Sequence, residues 1–325
     1  MNKYQNKGII CAGNWILDEI MFINKWPKIT ELSKINEIKY SSGGSAFNVI
    51  CNFNYYDAPF KTYGVGCIGD DTRGKKILKI CKKNNISTRF LKTINNCNTS
   101  FTNVVVSPKT KERTFFYFPG ANNKFNSNFV SKELIDNSKI SIFHLGYLCL
   151  LKGLEKKDKN KKLNIENLFR KIKKKDIDIS LDTITLRNFA DYKKTLVCLK
   201  YVDHLIINEK EALLLSNINI IKKNKPKTSD LIKSCKILSK YGIKKNIIIH
   251  NSNQVIWYDK TQIKLKKFKK IPPNKIKNKS GAGDSFLTGI LWGINLKWSK
   301  EKTINFAHKL AMKNLKLNTS SNFLT

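Results

Sequence analysis

Apolar residues recur along this chain in two rhythms, and their alternation predicts most of the elements. The run KGIICAGNWILDEIMF (7–22) reads as a strand that ends at Asp18 or shortly after. ELSKINEIKY (31–40) alternates in the manner of a short exposed strand. Residues 43–56 carry apolar positions at helical spacing after two glycines; 61–69 reads as a strand into a turn and 71–84 as a helix. TSFTNVVVS (99–107) and ERTFFYF (112–118) are expected to pair around the turn PKTK. From there strands at 140–148, 177–183, 202–208 and 245–250 alternate with helices at 164–175, 189–199, 209–216 and 228–241. A hairpin, 254–259 with 262–268, and two helices, 283–296 and 300–316, follow.

Strands that are apolar almost throughout, separated by helices, indicate a mostly parallel sheet covered on both faces. Ligands in such folds bind beyond the carboxyl ends of the strands. The β segments near 15–40 and 97–120 break the alternation and are expected to pair as a small sheet away from the main core. There is no internal repeat and no Pro/Ser-rich linker. No stretch of 18 apolar residues occurs, so no transmembrane helix is expected. The basic, then apolar N-terminus is interrupted by Asn14 and Asp18 and reads as a first strand rather than a signal peptide.

Composition changes this picture little. The 325 residues, 41% of them hydrophobic, suffice for one large α/β domain with or without a small appendage. Eight scattered cysteines with no C-x-x-C pair suit reduced core thiols in a cytoplasmic protein. Four histidines and no H-E-x-x-H leave a metalloprotease without support. The net charge of +37 suggests nucleic acid, but only five of the 61 basic residues are arginine, the residue that reads guanine and phosphate in pairs of bonds. Lys, Asn and Ile dominate every region, as compositional drift would produce, and the densest run, 151–176, has too few aromatics for a stacking platform. No specific nucleic-acid partner is expected.

Candidate chemistry begins with two decoys. Gly64-Val-Gly66-Cys-Ile-Gly69 matches G-x-G-x-x-G, and Gly69 to Lys75 nearly matches a P-loop. The second has Lys76 where Ser or Thr must hold magnesium, and Asp70 and Asp71 where phosphate must lie, so a tight turn is expected. NKSGAGDSFLTGI (278–290) is stronger. Gly281, Ala282 and Gly283 can bring backbone N–H groups to the positive end of a helix, and Asp284 there is either a cap or a general base. Gly43-Gly44 permits close approach to a ligand, with Asn48 one turn on to bond hydroxyls, or is a loop followed by a polar residue in a surface helix. Asp18, at a strand's carboxyl end, can take a pair of sugar hydroxyls, or be a solvated loop acid. Asn208 and Glu211, three apart, can orient the waters of Mg²⁺, or form a helix cap with an acidic first turn.

In their order and spacing, Asp18, Gly43-Gly44 with Asn48, N-x-x-E at 208–211 and G-A-G-D at 281–284 resemble the ribokinase-like (PfkB) carbohydrate kinases, over about residues 8–316. GVGCIGDDTRG is similar to a turn of that family, and GNWILDEI, RTFFYFPGAN and FHLGYLCLL to a bacterial carbohydrate-kinase branch. The resemblance implies a single ribokinase-like α/β domain over 1–325, with a central mostly parallel sheet flanked by helices. A small β lid would be inserted at about 15–42 and 97–122. It implies ATP and Mg²⁺ as cofactors and a small sugar as phosphoryl acceptor. Asp284 would be the base, and the amides of Gly281, Ala282 and Gly283 the anion hole. Asp18, Gly43, Gly44, Asn48 and Asn122 would hold the substrate, and Asn208 and Glu211 would organise metal and phosphate. A homodimer through the lid is compatible with it. Where the family usually has D-T-x, this chain has Asn278-Lys279-Ser280; Lys279 either replaces that support as a point charge or marks a weakened site. In LDTITLRN (181–188), Asp182 and Arg187 fit a further family segment loosely, Arg187 as a phosphate clamp or as a surface arginine. A nucleoside kinase of the same fold, and a degenerate basic binding protein, are the rival expectations.

Overall fold

The structure, a computed structural model, describes residues 6–107, 113–137, 139–186, 189–218, 226–269, 271–272, 275–277 and 280–316. A nine-stranded sheet forms the centre. Its first half comprises β1 (Asn6–Gly13), β4 (Phe60–Gly69), β5 (Leu91–Ile94), β8 (Ile140–Gly146) and β9 (Asp178–Leu181). Its second half comprises β10 (His204–Asn208), β11 (Asn246–His250), β12 (Gln254–Tyr258) and β13 (Ile263–Lys267), in the spatial order 13-12-11-10-9-8-1-4-5. All neighbours are parallel except the closing hairpin β11-β12-β13.

The continuous apolar strands follow from two covered faces. Successive residues of the central strands enter opposite cores, as a period of two requires. Ile9, Cys11, Ile206 and Ile248 join one core with α1 (Ser45–Tyr55), α2 (Thr72–Lys83), α8 (Ala282–Asn295) and α9 (Lys300–Asn314). Ile10, Ala12, Leu205, Ile207 and Ile247 join the other with α4 (Asn164–Lys173), α5 (Lys193–Cys198), α6 (Glu209–Leu215) and α7 (Thr228–Ser239). The short helix α3 (Lys132–Ile135) closes the connection into β8.

A second sheet of four strands, ordered 3-2-6-7, consists of β2 (Ile16–Ile23), β3 (Ile35–Gly43), β6 (Phe101–Val106) and β7 (Arg113–Phe118). Its central pair β2–β6 is parallel and both outer pairs are antiparallel. Asp18, Thr102 and Tyr117 stand in one row across it. Arg73 of α2 ties this lid to the main body: its Nε donates to Glu19 Oε1 at 2.8 Å and its guanidinium covers the Phe101 ring at 3.9 Å.

Three elements differ from the sequence expectation. The run 7–22 is two strands in two sheets. The break falls at Gly13, whose φ of +127° lets the chain pass where a Cβ would lie 2.6 Å from Gly146 O. Trp15 then turns inward and stacks on Phe47 at 4.4 Å. Both halves are buried, so apolarity alone does not mark the break. The expected helix 189–199 is a 3₁₀ turn, Phe189–Tyr192, followed by α5. The Tyr192 hydroxyl donates to Ile184 O and accepts Leu186 N–H, pinning that corner. The strand β5, LKTI, is too short and polar to have been anticipated.

The two phosphate-loop decoys are structural. Asp71 caps α2, accepting Gly74 N–H at 2.9 Å, and also accepts Thr99 N–H at 3.0 Å. Asp70 accepts Asn96 N–H at 2.9 Å. The carboxylates stitch this turn to the strand entering the lid.

Candidate active site

At the carboxyl ends of β1, β8, β9 and β10 the body and lid enclose a cleft of about 790 Å³. Asp18, Gly44, Asn48, Asn208, Glu211, Gly281 and Asp284 all line it. Residues more than 260 positions apart in the chain thus share one cavity.

Asp284 is the third residue of α8, whose N-cap is Gly281 in the left-handed region (φ 76°, ψ −6°). Its carboxylate does not cap the helix. It crosses to other elements instead: Oδ2 accepts Asn48 Nδ2–H at 2.7 Å and Oδ1 accepts the Tyr147 hydroxyl at 3.2 Å. Burial raises its pKa above the usual carboxylate value, while bonds from Asn48, Tyr147 and Ser45 hold it back. A buried carboxylate of raised pKa is a stronger base than a solvated one.

The adjoining helix end is open. Gly283 is exposed, and a Cβ built on it would meet only His250 Cε1, at 3.8 Å. Packing does not demand glycine there.

The glycine pair has separate duties. A Cβ on Gly43 would lie 2.1 Å from Asp18 Oδ1, so Gly43 gives the Asp18 carboxylate its place against the backbone. Gly44 caps α1 with φ 83°, and a Cβ there would lie 2.6 Å from Asn14 O. Asn48, one turn on, accepts the Ser42 hydroxyl at 2.7 Å, which leaves its amide N–H for Asp284.

Asn208 and Glu211 form a reciprocal cap on α6. Asn208 Oδ1 accepts Glu211 N–H at 3.0 Å, and Glu211 Oε2 accepts Asn208 N–H at 3.1 Å. Of the two readings made from the sequence the structure shows the cap, and the capping pair also lines the cleft. Burial, with Asp284's charge adding to it, pushes Glu211 to about 7 against the bonds from Asn208, Thr185 and Thr183. Among the described residues no group of three or more His, Cys, Asp or Glu could hold a metal ion. Glu211 and Asn208 fit the waters of a hydrated Mg²⁺ better than a dehydrated ion.

Asn122 is fully buried and outside the cleft lining; its Oδ1 accepts Trp15 N–H at 3.3 Å. Lys279, Asn278 and Arg187 lie outside the described residues. Asp182 is 6% exposed beneath the site. Its Oδ2 accepts the Ser45 hydroxyl at 2.5 Å and its Oδ1 accepts Tyr147 N–H at 2.9 Å. Burial, then the Asp284 charge, pushes its carboxyl well above the usual range.

Sequence reasoning did not single out Tyr147, Thr102, Tyr117 or Ser42. The available signal was position: Tyr147 directly follows the apolar strand β8, and Ser42 directly precedes Gly43-Gly44.

Residues 9–322 match the model of the pfkB family of carbohydrate kinases. A ribokinase of Dictyostelium discoideum is 26% identical over 298 residues, spanning 87% of this chain and 85% of that protein. Among solved structures, ribokinase from Giardia lamblia superposes with a TM-score of 0.77 at 17% identity, covering 97% of this chain and 96% of that one. Arabidopsis thaliana ribokinase complexed with ribose and ATP gives 0.74 at 18%, covering 97% and 94%. A Burkholderia thailandensis nucleoside kinase in complex with inosine gives 0.69 at 12%, covering 97% and 93%. These structural likenesses establish the ribokinase fold.

Proposed function

This chain belongs to the pfkB family of carbohydrate kinases, and from that premise we propose that it transfers the γ-phosphoryl group of ATP to a hydroxyl of a small sugar or sugar derivative. The observation that carries this reading is the placement of Asp284. A buried carboxylate of raised pKa stands at the open N-terminus of a 14-residue helix, inside a cleft that also holds Asp18 and Asn48.

In this reading the acceptor hydroxyl sits between Asp18, the Gly43-Gly44 backbone and Asn48. Asp284 takes its proton as the oxygen attacks the γ-phosphorus and ADP leaves. The amides of Gly281, Ala282 and Gly283 and the helix end stabilise charge on the moving phosphoryl group, which is where catalysis of phosphoryl transfer resides. Mg²⁺ carried on the ATP phosphates would neutralise their charge, with Asn208 and Glu211 bonding its waters. Asn122 holds the backbone at Trp15, next to the lining residue Ile16, and Lys279 and Arg187 are assigned to the phosphates.

One observation favours a nucleoside as acceptor instead: Phe115, Tyr117 and Tyr147 bring three aromatic rings to the same cleft, enough to stack a base. The test is a panel of pentoses, hexoses and nucleosides with ATP and Mg²⁺, read as acceptor-dependent ADP release and phosphorylated product. Turnover with free sugars is expected. Turnover confined to nucleosides would move the assignment to the second acceptor class, and no acceptor-dependent ADP across the panel would refute both.

A further inference from the structure

We propose that Tyr147 is a positioning residue for the phosphoryl-transfer step, its hydroxyl fixing the Asp284 carboxylate and its backbone N–H anchoring that hold on Asp182. The inference rests on the reading of Asp284 as the base. Tyr147 has φ 48° and ψ 54°, a left-handed conformation that a bulky side chain rarely adopts. Three backbone bonds hold it there. Its N–H donates to Asp182 Oδ1 at 2.9 Å, and its carbonyl accepts Asn14 Nδ2–H at 3.1 Å and Leu150 N–H at 2.9 Å. Glycine or asparagine would meet the same backbone with less strain. Strain of this kind is retained where the surroundings over-determine it, as Asp182 and Asn14 do here.

That ring ends 3.2 Å from Asp284 Oδ1. Asn48 holds the other oxygen, and with Ser45 these donors fix the plane of the carboxylate; without Tyr147 the hold on Oδ1 is weakened. Carboxylates surround this contact from four elements. Asp284 comes from α8, Asp182 from the segment after β9, Glu209 and Glu211 from α6, and Asp18 from the lid. Ser45 and Asn48 of α1 are neutral. His144 of β8, whose pKa burial lowers to about 3, is also uncharged. Lys210 lines the same cleft. In this acid-rich setting a hydroxyl that donates to Asp284 favours its ionised form, which is the form that accepts a proton.

Tyr147→Phe removes the donor and keeps the ring. A tilted base costs turnover more than binding, so kcat is expected to fall roughly 10- to 100-fold with KM changed less than about threefold. The acid limb of the pH–kcat profile is expected to move to higher pH, because the ionised carboxylate has lost a bond. Tyr147→Asn, which accepts the left-handed backbone, is the second variant. It gives up the half-buried ring as well as the hydroxyl, so its melting temperature is expected to fall, and the same or a larger kcat loss is read from rates normalised to folded protein. Wild-type kcat and acid limb in both variants would overturn the proposal. So would a raised KM with unchanged kcat, which would make Tyr147 a substrate contact only. Asp284→Asn run alongside separates the two levels. Full turnover in that variant defeats the base assignment and this inference with it, whereas its loss beside unaltered Tyr147 variants defeats this inference alone.

Discussion

Gly283 and Gly289 lie on the same helix, and alanine at each should have opposite consequences. At Gly283 a Cβ meets only His250 Cε1, at 3.8 Å, and the residue is exposed. Replacing glycine by alanine in a helix stabilises it by about 0.5–1 kcal/mol. For a chain of this size that is roughly 1–2 °C upward in melting temperature. In the proposed reading, however, the added methyl group stands beside one of the α8 amides assigned to the anion. Donors of this kind contribute on the order of 10²–10³ to kcat, and a displacement of about 1 Å forfeits on the order of 10²-fold. Gly283→Ala is therefore expected to be slightly more stable and about 10²-fold slower. At Gly289 the Cβ would lie 2.4 Å from Ala307 Cα, a backbone atom of the packed helix α9. Gly289→Ala should lose roughly 1–3 kcal/mol of stability while its folded fraction turns over near the wild-type rate. The assay is thermal unfolding beside steady-state kinetics normalised to folded protein. A Gly283→Ala enzyme with wild-type kcat and raised stability would refute the anion cradle.

Two further outcomes follow from the same geometry. Gly43→Ala places a Cβ 2.1 Å from Asp18 Oδ1, so the carboxylate must move; losing a charged hydrogen bond to substrate is worth about 1.5–3 kcal/mol, and KM for the acceptor should rise roughly 10- to 100-fold with kcat less affected. Asp178, remote from the cleft at the start of β9, is half-buried; burial pushes its pKa up, but bonds from His204 and Lys245 outweigh that and hold it down to about 2. A depressed carboxylate contributes stability above its unfolded value near 4, lost as pH falls towards 2. Asp178→Asn should thus cost about 1 kcal/mol at pH 7, after allowance for its partial exposure, and nothing near pH 2. Urea titrations at the two pH values check this, and an equal loss at both would contradict the ion-pair account.

Much of the architecture was legible because the central strands are buried on both faces, so their apolar runs stand out between amphipathic helices. The same property hid the boundary at Gly13, where one buried strand passes into another. Asp18, Asn48 and Asp284 were legible as types at suggestive spacings, and only folding showed them sharing a cleft. At Asp284 the sequence left open where the carboxylate oxygens point, and Asn48 and Tyr147, far away in sequence, direct them. At Asn208 and Glu211 no choice was needed, since a capping pair can also face a ligand. Tyr147 was illegible for a physical reason: its importance comes from a left-handed backbone imposed by Asp182 and Asn14, and local pattern carries no trace of either.

The most direct test of the account is the single-turnover rate of Asp284→Asn with the best acceptor found in the panel. Asparagine keeps the size of the side chain but cannot take the proton. The expected result is a rate 10²- to 10⁴-fold below wild type, on the order of what a general base supplies, with acceptor binding by thermal shift retained. A rate within about tenfold of wild type would contradict the assignment of Asp284 as the base, since so small a loss is below what general-base catalysis contributes.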